Sequence, residues 1–220
     1  MKPRVANQKT VAMTLTEVLV VICVVAVLVV MISPAVISDR PRKSPRIYCV
    51  NNLKQIGLAY YIWAGDHNDK FPMQVSVTNG GTMELTVDGR NAWLNILVMS
   101  NELNTPKILW CPADRDRVVA TNFTSGFSSK NISYFVGLDA VQNHPKMILS
   151  GDDNFAVGSV PVKPGLLELS TNAPITWTSA RHHNAGNIGV ADGSVATVSN
   201  SQLTNLFHQT DVATNRLAIP

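Results

Sequence analysis

The chain has 220 residues, of which 45% are hydrophobic and only 15% charged, against roughly 25% charged in an ordinary soluble domain. Its net charge is +3, from 18 Lys and Arg against 15 Asp and Glu. These values exclude an extended disordered chain, which needs few apolar residues and a high net charge. They also argue against a nucleic-acid binder, because the field is weak and the sparse aromatics do not alternate with basic residues.

The hydrophobicity is concentrated near the start. Val18 to Ile32 reads VLVVICVVAVLVVMI without a break, and extending back to Met13 adds one charge, Glu17. About 20 apolar residues span a bilayer as a helix, so the sequence predicts a transmembrane helix over 13–33. Lys2, Arg4 and Lys9 precede it and no acid does, so the whole +3 sits in the first twelve residues. By the positive-inside rule the N-terminus is expected in the cytoplasm and the remainder in the periplasm, as a single-pass inner-membrane protein. Three fates fit this segment. It is an uncut signal anchor, or a secretory signal peptide cut near Ser33-Pro34-Ala35, or a processed segment in which Glu17 has a purpose. A carboxylate in an apolar helix costs at least ~2.5 kcal/mol near the bilayer centre and calls for a partner.

Ala12-Met13-Thr14-Leu15-Thr16-Glu17, followed by the apolar run, resembles the N-terminal signal of type IV pilins and type II secretion pseudopilins. The resemblance implies that a prepilin peptidase cuts between Ala12 and Met13 and that Met13 becomes N-methylated. Residues 1–12 are then a leader, and Glu17 is the fifth mature residue. It also implies assembly into a filament, in which the Glu17 carboxylate neutralises the N-terminal amine of a neighbouring subunit. Ala12 and Met13 depart from the usual Gly and Phe. Pro34 is expected to kink or interrupt the helix, and Pro41 and Pro45 to break the stalk around 39–45.

A second, amphipathic helix is predicted from Ser44 as N-cap, with Pro45 at its first position, to about Ala64. Leu53, Ile56, Tyr60 and Trp63 form its most apolar stripe. It contains Cys49-Val50-Asn51-Asn52-Leu53-Lys54-Gln55-Ile56-Gly57-Leu58-Ala59, which resembles a stretch in a set of pseudopilin-like proteins of planctomycete and verrucomicrobial type. Trp110-Cys111-Pro112 is similar to that set as well. So are His182 followed after nine residues by Asp192-Gly193 (H-X9-DG) and the closing Thr214–Pro220. The implied architecture is α+β and pilin-like: a transmembrane helix, a Pro-interrupted stalk and helix over 34–66, and a globular domain over 67–220 with a small antiparallel sheet and long loops.

Three cysteines are present. Cys23 lies in the apolar run. Cys49 and Cys111 fall in the part expected to be exported, where an isolated pair suggests one disulfide. Sixty-two residues apart and with no close Cys or His in sequence, they do not have the spacing of a zinc site. Asp192-Gly193, between alternating runs, predicts a hairpin with strands near 187–191 and 194–198 and a type I′ turn with positive φ at both residues. His182 and Asp192 read as a histidine at the mouth of that hairpin and a turn aspartate rather than a catalytic or ligating pair. His144 and His183 add nothing to them. For calcium, Asp152 and Asp153, beside Asn154, are the candidates, with Asp114 and Asp116 as a second acidic pair. Neither cluster matches an EF-hand or the calcium loop of G-class pseudopilins. A short helix is expected over Trp93–Met99 with Asn91 as its cap, a strand over Met147–Ser150 and a last helix over Gln202–Gln209. No nucleotide loop, HExxH or nucleophile elbow occurs. The expectation is therefore a structural subunit and not an enzyme. It needs no cofactor and takes as partners the inner membrane, a prepilin peptidase and other pseudopilin subunits. A type IV pilus subunit, a tethered exported enzyme or binding protein, and a secreted product cut near Ala35 are the alternatives.

Overall fold

The computed structural model describes residues 14–37, 45–87, 89 and 91–220, with the side chains of 32–37 outside that set. The processing site at Ala12 and Met13 and the expected break over 39–45 lie outside the described residues. The chain divides into two units, Met1–Arg42 and Lys43–Pro220.

In the first unit, helix α1 spans Leu15–Ile37 and carries through Pro34 without interruption. It begins with a capping box. The Thr14 N–H donates to Glu17 Oε2 at 2.7 Å, and the Glu17 N–H donates to Thr14 Oγ1 at 3.3 Å, which satisfies two of the donors a helix start leaves free. From Leu15 to Met31 every side chain is exposed. Among the described residues, no helix is long and apolar enough to cross a membrane. This overturns the expected transmembrane helix over 13–33, the fold class built on it, and the single-pass inner-membrane placement. The described run also carries the Glu17 carboxylate in its first turn, a charge that a hydrocarbon core disfavours.

The second unit is α+β. Helix α2, Pro45–Gly65, buries Cys49, Leu53, Ile56, Gly57, Tyr60, Trp63 and Ala64, the apolar stripe read from the sequence. Two short helices follow, α3 at Ala92–Leu97 and α4 at Ser100–Leu103. Asn91 stands at the N-cap position of α3 but makes no side-chain cap bond. The strands are β1 Tyr134–Gly137, β2 Ile148–Asp152, β3 Phe155–Val157, β4 Val160–Pro161, β5 Gly165–Ser170, β6 Ile175–Trp177, β7 Gly186–Val190 and β8 Val195–Val198. Helix α5, Asn200–His208, and β9, Thr214–Ile219, complete the chain order. Six strands form an antiparallel sheet in the order β5-β9-β1-β2-β7-β8, and three form a smaller one, β4-β3-β6.

Side chains alternate across the large sheet, as the two-residue strand period requires. Tyr134 and Val136 of β1 and Leu149 of β2 join the core beneath α2. Phe135, Ile148 and Ile188 face the other way, into a second core with Phe155, Trp177, Leu203 and Phe207. The result is a sheet covered on one face by α2 and on the other by α5 and the smaller sheet.

The hairpin differs from its expected turn. Only Gly193 has positive φ (82°), whereas Asp192 does not. The Gly193 N–H donates to the Val190 carbonyl, the Val190 N–H to the Ser194 carbonyl, and Ser194 N–H to Asp192 Oδ1 at 2.8 Å. The connection is thus a longer loop with a left-handed glycine, a geometry in which aspartate keeps an ordinary backbone conformation.

Candidate metal centre

Four side chains distant in sequence converge between α2 and the sheet. Cys49 enters from the first turns of α2. Cys111 follows the 3-10 turn Pro106–Leu109, and its N–H donates to Ser133 Oγ at 3.0 Å. Asp152 ends β2 opposite Tyr134, a register that turns both toward α2. His182 lies in the connection from β6 to β7. One potential ligand atom from each residue lies within 4.8 Å of every other. Cys111 Sγ is 3.3 Å from His182 Nε2, which is 3.6 Å from Asp152 Oδ2. All four residues are buried.

The loop holding His182 has an unusual backbone. His182, His183 and Asn184 have φ of 54°, 54° and 59°, three successive non-glycine residues in the left-handed region. Each such residue costs of order 1–3 kcal/mol unless its surroundings hold it there. They do so here: Asn154 Nδ2 donates to the carbonyls of Arg181 and Ala185, and Arg46 donates to the carbonyl of His182.

Asp152 is held from behind. The backbone and side-chain N–H groups of Asn187 both donate to Asp152 Oδ2 at 2.8 Å, and Thr197 Oγ1 donates to Asn187 Oδ1 at 2.7 Å. Asp152 Oδ1 is buried with no hydrogen-bond partner.

Cys49 and Cys111 are free thiols whose sulfurs lie within 4.8 Å of each other. That contact, with His182 beside it, lowers the Cys111 thiol to about 5. The same contact and burial push Cys49 far up. Burial and the Cys111 charge raise Asp152 to about 6. Burial works against the His182 imidazolium, but the hydrogen bond to Cys111 and the Asp152 carboxylate hold it above its usual range.

The sequence-predicted residues divide. His182 belongs to the cluster, whereas Asp192 sits in the hairpin tip, where its N–H donates to the Pro145 carbonyl and its carboxylate accepts from the Ser194 N–H. Asp152 and Asp153 do not share a cation. Asp153 Oδ2 accepts from Arg117 Nη2 at 2.6 Å and its other oxygen pairs with Arg181. Asp114 pairs with Arg181 at 3.1 Å, and the Asp114 carboxylate also accepts from the Asp116 N–H. Two arginines thus take up the acids of both candidate calcium clusters, apart from Asp152 and Asp116. Burial lowers Arg117 to about 10.

Comparison with protein-family models, with curated proteins and with solved structures finds no match.

The cluster offers two sulfurs, an imidazole nitrogen and a carboxylate. A Cys–His pair at this distance is also the start of a thiolate nucleophile. Both partners are buried, and the four ligand atoms together suit a small ion.

Proposed function

We propose that the protein is a prepilin-like structural subunit of the type II secretion or type IV pilus kind, assembled through α1. What supports this reading is the exposure of α1: apolar side chains point outward on every side from Leu15 to Met31. Apolar surface of this extent is covered in a working molecule. The α1 helices of other copies supply a matching cover, since every copy carries the same surface, and Glu17 is the one charged group on it. Cleavage by a prepilin peptidase between Ala12 and Met13 frees an amine beside that carboxylate, and the Glu17 of one copy pairs with the amine of the next. The reading contains no catalytic step.

The capping box gives Glu17 a second, purely local task, and one substitution separates the two. Glu17→Gln keeps the hydrogen-bond acceptor of the box and removes the charge. The experiment is co-expression with a prepilin peptidase and assembly machinery, mass spectrometry of the mature N-terminus, and recovery of sheared filaments. The expected result is N-methylated Met13 with filaments in the wild type, and processed but unassembled Glu17→Gln. A chain starting near Val36, or filaments undiminished by Glu17→Gln, would overturn the reading.

A further inference from the structure

We propose that Cys49 Sγ, Cys111 Sγ, His182 Nε2 and a carboxylate oxygen of Asp152 together hold one structural divalent cation of the zinc class. The proposal goes beyond the assembly reading and is independent of it.

Geometry comes first. In a regular tetrahedron the edge is about 1.63 times the metal–ligand bond. With Zn–S near 2.3 Å and Zn–N or Zn–O near 2.0–2.1 Å, the ligand–ligand distances fall at roughly 3.3–3.8 Å. The Cys111 Sγ to His182 Nε2 distance of 3.3 Å and the His182 Nε2 to Asp152 Oδ2 distance of 3.6 Å both lie in that interval. The whole set closes within 4.8 Å. A disulfide would need the sulfurs near 2.05 Å, but the two thiols are free, with their sulfurs within 4.8 Å of each other.

Chemistry selects the ion. Two thiolates, an imidazole and one carboxylate are a soft, mixed set that suits zinc, whereas calcium and magnesium require an oxygen shell. Four protein ligands in a buried place leave no open position, which is the mark of a structural site rather than a catalytic one. Ligation requires both sulfurs as thiolates and the imidazole neutral, and whatever protons these groups carry leave to solvent. Two thiolates and a carboxylate around a doubly charged ion leave one net negative charge, and the field of Arg181 already reaches Asp152.

The surroundings carry the features of a ligand shell. Both Asn187 donors hold the Asp152 carboxylate through Oδ2, the oxygen 3.6 Å from His182 Nε2, while Oδ1 is buried without a partner, so its orientation is fixed before an ion arrives. The left-handed run at His182–Asn184 is a local cost that a ligand bond to His182 would repay. The ion would tie α2, the segment after Leu109, β2 and the β6–β7 connection at one point. It would also give the histidine of H-X9-DG a task separate from that of the Asp192-Gly193 turn.

The test uses the full chain in mild detergent, purified under reducing conditions, stripped with chelator and reconstituted. The expected result is about one zinc per chain by elemental analysis. Cobalt substitution is expected to give the visible bands of a tetrahedral ion and thiolate-to-cobalt charge transfer. Cys49→Ser and Asp152→Asn should lose the charge-transfer intensity and the stoichiometric metal respectively, while Asp153→Asn should retain both. If Cys49→Ser fails to fold, the wild-type cobalt spectrum alone decides between tetrahedral thiolate ligation and none. No stoichiometric metal in reduced wild type, an octahedral cobalt spectrum, or a Cys49–Cys111 disulfide in protein isolated without reductant would each overturn the proposal.

Discussion

Gly57 of α2 and Gly193 at the β7–β8 hairpin tip face each other, so that a Cβ added at Gly57 would lie 3.7 Å from the Gly193 Cα. Close approach of helix and hairpin also lets the Tyr61 hydroxyl donate to the Ala191 carbonyl. The two glycines are not equivalent. Gly57 has ordinary contact distance to spare, and alanine improves helix propensity by up to ~1 kcal/mol. Gly193 sits at φ 82°, and a Cβ there would lie 3.4 Å from the Tyr61 ring. Gly57→Ala is therefore expected to be neutral or stabilising, and Gly193→Ala to cost about 1–2 kcal/mol. Urea unfolding of the two variants checks the order, and the reverse order would refute this account of the contact.

Asp114, Arg117, Asp153 and Arg181 form a mostly buried network of two acids and two bases. Asp153→Ala leaves two guanidinium groups around one carboxylate and is expected to cost about 3–5 kcal/mol. The Arg216–Asp139 pair, 2.6 Å apart but with the arginine half exposed, is the control: Arg216→Ala should cost less than ~1 kcal/mol. Thermal melts resolve the difference, since 1 kcal/mol moves Tm by roughly 2–4 °C in a chain of this size.

Asn187 acts on the cluster through Asp152. Asn187→Ala removes the side-chain donor to Asp152 Oδ2 and should cost about 1–3 kcal/mol. It should also weaken zinc binding by roughly 10–100-fold while leaving the tetrahedral cobalt spectrum intact. Thr197→Val, one step further out, should give a smaller effect on both. Competition with a chromogenic chelator measures the affinities.

Metal removal provides a further check. Zinc at a thousandfold its dissociation constant stabilises by about 4 kcal/mol, which corresponds to roughly 8–16 °C in Tm. Stripping with chelator should lower Tm by that amount, and zinc but not calcium should restore it. Cys49→Ser should melt at one temperature with or without chelator.

Much of the scaffold was legible in sequence because its signals are local. Pro45 and the Leu53, Ile56, Tyr60, Trp63 spacing marked α2, and Asp192-Gly193 marked the hairpin. The capping box was also legible, since Thr14-x-x-Glu17 is its signature, but the charge of Glu17 drew attention to a partner in another chain. The cluster was not legible. Cys49, Cys111, Asp152 and His182 share no spacing, and they meet only because β2 lies beside β1 and β7 under α2. Absence of nearby ligands in sequence was the wrong criterion for a site assembled by sheet order. Strand β9 escaped for a similar reason: a six-residue segment followed by proline has no partner within reach along the chain, and its neighbours are β5 and β1.

The position of β9 also sets an order of events. It is the last strand in sequence, yet it lies inside the large sheet, between β5 and β1. Synthesis runs from the N-terminus, so β1 and β5 exist before the strand that joins them, each with an open edge. Until Thr214–Ile219 arrives, the large sheet is the four strands β1-β2-β7-β8 and β5 has no partner in it, and long-range pairing of this kind is slow. A chain interrupted after Ala213 would keep every ligand of the cluster yet fail to close the sheet. Closure of the sheet therefore follows the making of its other strands, with β9 joining the unpaired β5 to the four strands already in place.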